Sequence, residues 1–292
     1  MFKKHLLART GLLVFFILLT GLVLPVASWT GIAQAVGYSC NESGLDAALA
    51  AGGTATFNCA SPTTIVVSGT KTVTRDVTLD GGNLLTLSGG NARQILVVQT
   101  TKSLTVQNVI LRDGFANGSG ASGNGGAIRA NSSLTTVTVI NSQLINNRST
   151  PSVSGADYGG GAIFSQGGTV VVSNSTFSGN ISNGSSGGAI HGLRSNISIT
   201  NSTFSGNQAN GNGGYGGAIY YDGAIQNGFV TIQGSTFTGN TANGEGGAVK
   251  GYMYQGTDYT LVDRSSFINN SSSPEPDGHS LAGALKFVNF YF

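Results

Sequence analysis

Residues able to do acid–base, metal or nucleophilic chemistry are few in this chain and do not cluster in sequence. There are nine aspartates and three glutamates. Asp46, Asp76, Asp80, Asp113, Asp157, Asp222, Asp258, Asp263 and Asp277 recur at no fixed interval, and Glu42, Glu245 and Glu275 are equally scattered. Hydrolysis of a glycosidic bond needs two carboxylates flanking it, and only folding could bring two of these together. His5, His191 and His279 have no metal-ligand spacing. Ser-Gly pairs sit among turn residues rather than in a strand–turn–helix elbow. The two cysteines, Cys40 and Cys59, fit one disulfide in an exported protein, the alternative being two buried free thiols. No catalytic, cofactor or metal site is assigned. Charged residues make up 9% of the chain and the net charge is +2. Without Lys3, Lys4 and Arg9 the balance is about −1, and the basic stripe that nucleic acid requires is missing.

One row of side chains has the periodicity the acids lack. After each Gly-Gly-Ala-Ile-like unit come Arg129, Phe164, His191, Tyr220, Lys250 and Lys286. If the preceding apolar residue points inward, these point outward. They are expected to form a basic and aromatic stripe that contacts an extended polymer such as an extracellular polysaccharide. The competing reading is a solvated strand face without a ligand.

The elements that carry this row are repeats. The Gly-Gly-Ala step starts at Gly125, Gly160, Gly187, Gly216 and Gly246, and a worn copy spans 282–285. Between the steps, an apolar residue is followed three places on by Asn: Leu144/Asn147, Phe177/Asn180, Phe204/Asn207, Phe237/Asn240 and Phe267/Asn270. Each period of roughly 30 residues holds short alternating β-branched runs, with no helical spacing. A single such unit cannot bury its apolar face, but stacked units share a core. The reading is an all-β, single-stranded, right-handed parallel β-helix. Phe177, Phe204, Phe237 and Phe267 should stack inside. Asn147, Asn180, Asn207, Asn240 and Asn270 should stack at a left-handed turn and hydrogen-bond along the axis. A second column, Asn108, Asn141, Asn174 and Asn201, breaks at Gly234 and Arg264 and ranks below it.

Gly-Gly-Ala-[Ile/Leu/Val] alternating with Phe-x-x-Asn resembles the repeat of chlamydial polymorphic outer membrane proteins. It is also similar to many bacterial extracellular right-handed β-helices of the pectate-lyase-like superfamily. The resemblance covers about residues 108–287. It implies a secreted or surface β-helix, often adhesin-like, and carries over no catalytic residue. Polysaccharide lyases share the fold, so a polysaccharide-active enzyme is the alternative function, and a structural surface-layer spacer the second.

Residues 1–35 read as a secretory signal peptide: a charged start, an apolar core over 11–24 and Ala33-Gln34-Ala35 for cleavage. An uncleaved anchor is the competing reading, although the apolar run is short for a span. No transmembrane span is expected in the mature chain. Residues 36–60 read as a cap on the solenoid end, with a helix over 43–51 capped by Ser43 and the Cys40–Cys59 disulfide. The Cys, short helix, Gly-Gly-Thr and second Cys resemble the opening of many bacterial extracellular β-helices. Residues 61–292 form the β-helix, with strands expected over 73–79 and turns at 80–82 and 88–90. Long Pro-containing insertions fall at 149–159 and 271–281, and the apolar run to Phe292 suggests a truncated gene product. The expected function is a secreted or cell-surface adhesion module without catalytic activity or cofactor.

Overall fold

The chain winds as a parallel β-solenoid, one turn copied onto the next. The structure, a computed structural model, describes residues 36–152, 157–211, 213–223, 228–254, 257–273 and 283–289. The expected signal peptide, most of the 271–281 insertion and the last three residues lie outside the described residues.

One winding shows the plan. Ile163–Gln166 runs along one sheet, and the chain bends at Gly167. Thr169–Ser173 and Thr176–Ser178 follow in a second sheet, with a bend at Asn174 between them. Ile181–Ser182 adds a short strand in a third sheet, and a linker leads to the next Gly-Gly-Ala step. Among the described residues the first, second and third of these sheets hold eight, 15 and six strands. Neighbouring windings pair in parallel and in register: Val170 with Ile197, Val172 with Ile199, Phe177 with Phe204, Ile163 with Ile190. Alternation along each strand puts Val170, Val172, Ile197 and Ile199 inside, all buried.

Register turns sequence repeats into axial columns. The phenyl rings of Phe177, Phe204, Phe237 and Phe267 stack with centroids 4.7, 4.7 and 4.8 Å apart and planes within 10° of parallel. That spacing is the strand-to-strand repeat of a β-sheet. Beside them runs a buried amide ladder. The Oδ1 of Asn180 accepts from both the N–H and the Nδ2 of Asn147, each at 3.0 Å. Asn207 does the same for Asn180, Asn240 for Asn207 and Asn270 for Asn240. Each Nδ2 also donates to a carbonyl of the preceding winding, such as Leu144 from Asn180 and Phe177 from Asn207. Every step thus satisfies main-chain and side-chain groups, and from Asn147 to Asn240 these lie where water cannot reach.

The left-handed residue at this bend is not the ladder Asn but the one before it: Asn146, Gly179, Gly206, Gly239 and Asn269, with φ between 53° and 61°. The second Asn column has a different task. Asn108, half-buried, and Asn141, Asn174 and Asn201, exposed, take φ of 45–54° at a bend, and Gly234 and Arg264 continue it at 58° and 45°. Gly therefore serves there as well as Asn, because backbone freedom is what the position needs. A serine column follows that bend. The N–H groups of Ser142, Ser175, Ser202 and Ser235 each donate to the Oγ of the next serine, at 3.1 Å.

The Gly-Gly step uses its two glycines differently. Gly187 sits at φ 67°, where a side chain strains the backbone. Gly188 has ordinary φ, but a Cβ there would lie 2.1 Å from the Gly217 carbonyl oxygen of the next winding. Bend and close approach together require both.

At the start, α1 (Glu42–Ala51) buries Leu45, Ala48 and Leu49 in the core. Its cap is Asn41, not Ser43: Asn41 Oδ1 accepts from the Gly44 N–H at 2.8 Å. Cys40 and Cys59 form the disulfide. Lys71 Nζ reaches Glu42 at 2.8 Å and Asp46 at 2.6 Å, tying the helix to the coil beneath it. The strand expected over 73–79 divides into Lys71–Val73 and the start of Val77–Ser88. The turn expected at 80–82 is a bend within that long strand, with Gly82 and Asn83 left-handed and the register shifting between Asp80 and Leu85.

Candidate functional site

The periodic row after the Gly-Gly-Ala steps is a true column. Arg129, Phe164, His191, Tyr220, Lys250 and Lys286 are successive register partners. The column extends back through Val97 to Thr72. Ile128, Ile163, Ile190, Ile219 and Val249 before it are buried in the core, so the row faces away from the core.

The sequence points to a stripe that contacts a polymer, with a solvated strand face as the competing reading; most of the row is instead covered by the chain itself. Phe164, His191, Tyr220 and Lys250 are buried; Arg129 and Lys286 keep partial exposure. The linkers cover it. Tyr215 stacks on Tyr220 at 5.9 Å. Glu245 pairs with Lys250 and, at 3.2 Å, with Lys286. Lys250 also lies 4.3 Å from the Tyr252 ring centroid, a cation–π contact. The two lysines of the expected stripe are thus held by the protein's own carboxylate, whose pKa they lower against the opposing effect of burial.

The middle of the column is an aromatic stack under this cover. His191 lies 5.2 Å from Phe164 and 4.9 Å from Tyr220. Neither imidazole nitrogen has a hydrogen-bond partner. Desolvation lowers its pKa to about 4, and the nearby main chain of Ser186 and Tyr158 opposes this only in part. His191 is therefore a neutral ring at pH 7. The Tyr220 hydroxyl is also unpartnered, and burial, with Asp222 nearby, raises its pKa.

The accessible part of this face is the next row, two residues on. Gln166, Leu193, Asp222 and Tyr252 are successive register partners and half-buried. Gln166, Leu193 and Asp222 border an open cleft of about 490 Å³, whose lining also includes Asp157, Arg194 and Tyr254. Arg194 stands at a left-handed bend, φ 50°, and its N–H donates to the Asp222 carbonyl at 2.9 Å. Tyr254 is 49% exposed, with its ring stacked on Tyr252 at 6.3 Å. Desolvation and a hydrogen bond to Asp222 raise its pKa.

Two carboxylates, a guanidinium, an amide and an open phenol ring can hydrogen-bond neighbouring hydroxyls and lie against a pyranose face. Asp157 and Asp222, which look scattered in sequence, meet here. Strand alternation was the available signal: Asp222 is two residues after Tyr220 and so shares its face. Asp157 comes from a long linker, and nothing in sequence pairs it with Asp222. Among the described residues, no group of three His, Cys, Asp or Glu side chains is placed to hold a metal ion, and no helix is long and apolar enough to cross a membrane.

The profile of the Chlamydia polymorphic membrane protein repeat matches residues 234–252. That stretch is one passage of the solenoid, from the bend at Gly234 through Phe237, Asn240 and the Gly246-Gly247 step to Tyr252. No curated protein and no solved structure matches the chain significantly.

Proposed function

We propose that this protein is an exported, adhesin-like β-helix of the cell surface that binds its ligand through the outer face of the Gly-Gly-Ala sheet. One observation carries the reading: a repeat of the Chlamydia polymorphic membrane protein type lies in a winding built like its neighbours. The same Phe and Asn columns run through the windings on either side of the matched stretch. The ligand face is the cleft of Asp157, Gln166, Arg194, Asp222 and Tyr254, and extracellular polysaccharide is the class of ligand its groups suit. Signal-peptide export, placement at an outer membrane and kinship with the pectate-lyase-like superfamily belong to the same proposal.

The test is attachment of the purified full chain to epithelial cells and to a panel of immobilised polysaccharides. Saturable binding that falls with Tyr254→Ala supports the reading. No binding above that of an unrelated protein of equal charge overturns it.

The cleft also favours a second reading, a polysaccharide-active enzyme. Asp157 and Asp222 line one groove beside Arg194, and paired carboxylates serve glycosidic-bond cleavage. Release of reducing ends from a polysaccharide panel, abolished by Asp222→Asn, would establish it. Binding without product release would assign the groove to recognition alone.

A further inference from the structure

The outward row is covered from Phe164 to Lys250 but open before it, at Thr72, Val97 and Arg129. Over this uncovered end lies a second cleft, of about 410 Å³. Thr70, Thr72, Arg93, Phe115, Asn117 and Arg129 are among its lining residues, and none of the lining residues is acidic.

The arginines in and beside it lack the carboxylate partners that Lys71, Lys250 and Lys286 have. Lys71 is held by two carboxylates, and Lys250 and Lys286 share Glu245. Among the described residues, no ion pair engages Arg93, Arg129 or Arg148. The Nε atoms of Arg129 and Arg148 are buried and make no hydrogen bond. Burial lowers the Arg129 pKa, and no neighbouring carboxylate raises it. Arg148 lies 4.3 Å over the ring of Phe115, the cleft's aromatic wall. Arg93 is exposed and makes only long contacts to main-chain carbonyls, 3.3 Å to Ser68 and 3.4 Å to Ala92.

Part-burying a guanidinium without a counter-charge is unfavourable. The balance changes when an oxyanion enters, because the planar fork donates two parallel hydrogen bonds to carboxylate, sulfate or phosphate. Gln94 is buried and donates to the carbonyls of Asn124 at 2.7 Å and Gly125 at 2.8 Å, fixing the turn that leads into Arg129.

The cleft is larger than an inorganic oxyanion needs. Its threonine hydroxyls and its asparagine amide suit sugar hydroxyls, and Val97 and Phe115 offer apolar surface for a ring face. We propose that this cleft binds the acidic group, carboxylate or sulfate, of a polysaccharide, with Arg129 and Arg93 as its ligands. This rests on the surface-binding reading and adds a charged subsite separate from the acid-lined cleft.

The experiment is isothermal titration calorimetry on the full chain at about physiological ionic strength. The probes are a galacturonate hexamer, a heparin-derived hexasaccharide, a neutral cello-hexaose, inorganic sulfate and inorganic phosphate. At least one acidic oligosaccharide should bind, and the neutral one should not compete with it. Arg129→Gln and Arg93→Gln should each weaken that binding by about tenfold, the loss of one charge-assisted contact. Arg129→Lys should retain part of it. Arg264→Gln, an exposed arginine paired with Asp263 in a late winding, should leave it unchanged. Arg93 is exposed, so its variant carries the test if Arg129→Gln fails to fold.

The proposal is overturned if no acidic oligosaccharide binds, or if folded Arg93→Gln binds as the wild type does. Inorganic sulfate or phosphate competing as tightly as the oligosaccharide would also overturn it, reducing the cleft to a free-anion site. Cell attachment by the same variants separates the two readings. Attachment without acidic-glycan binding removes the site and leaves the adhesin; glycan binding without attachment does the reverse.

Discussion

Replacing Asn207 by alanine tests the amide ladder at its most buried point. Asn207 is fully buried. Its Oδ1 accepts from the Asn180 N–H and Nδ2, both at 3.0 Å, and its Nδ2 donates to the Phe177 carbonyl at 3.0 Å and to Asn240 Oδ1 at 2.9 Å. Alanine leaves the Asn180 N–H without an acceptor and takes a donor from the Phe177 carbonyl. Asn180 Nδ2 keeps Leu144, and Asn240 Oδ1 keeps the Asn207 N–H. At about 1–3 kcal/mol for each of these two buried groups, the loss is about 2–6 kcal/mol, a large share of a typical domain's stability. Urea unfolding followed by far-UV circular dichroism reads it as a lower midpoint at unchanged slope. Asn270→Ala, half-buried at the last such bend, should cost less, about 1–2 kcal/mol, because water reaches the groups it frees. Asn207→Asp keeps the shape but cannot donate to Phe177 or Asn240. Its buried carboxyl should titrate above the ordinary value near 4, so the stability it retains is present below about pH 4 and lost as pH rises. Its deficit against wild type should therefore be smaller at pH 4 than at pH 7. A cost for Asn207→Ala below about 1 kcal/mol, or equal to that of Asn270→Ala, would refute the ladder as a source of stability.

Three further outcomes follow from the same structure. Gly188→Ala should unfold the protein or cost more than about 3 kcal/mol, because the new methyl meets the Gly217 carbonyl at 2.1 Å. Gly206→Ala, at φ 60° with nothing within 4 Å, should cost only about 1 kcal/mol of backbone strain, and paired urea midpoints compare the two. His191 has a folded pKa of about 4 against 6.5 when free. Its own contribution to stability should be full above pH 6.5, fall by about 3 kcal/mol toward pH 4 as the unfolded chain alone takes up the proton, and level off below, where the lowered carboxylates of Glu42 and Glu245 add their own loss. His191→Phe should flatten that slope in urea midpoints taken across the range. Reducing Cys40–Cys59, 19 residues apart in sequence, should cost about 3 kcal/mol, read as the midpoint with and without reductant and checked with Cys40→Ser/Cys59→Ser.

The solenoid was legible because its columns are sequence repeats and little else. A Phe that recurs once per winding meets the next Phe when the windings pair in register, and the 4.7 Å ring spacing is the strand spacing itself. Asn147 through Asn270 follow the same rule. The task of each Asn column was not legible, because both Asn and Gly satisfy a left-handed bend; the buried column carries its amide ladder from Asn147 to Asn270, while the other pairs amides at Asn108 and Asn141 and then gives way to Gly. Asn174 and Asn180 look alike in sequence; one is exposed at φ 49°, the other buried. The serine ladder went unseen because Ser is common throughout the turns.

The periodic sequence by itself determined the winding, the inward columns and the outward row from Arg129 to Lys286, since in-register copying is local and translational. Only the tertiary structure decided which of that row meets water. The linkers differ in length and composition, and Tyr215 and Glu245 reach back over Tyr220 and Lys250 to roof the row. Asp157, Asp222 and Tyr254 come together in one cleft, and Arg129 is left facing another without a counter-charge. These contacts join residues of no fixed spacing, and chain folding alone brings them within reach.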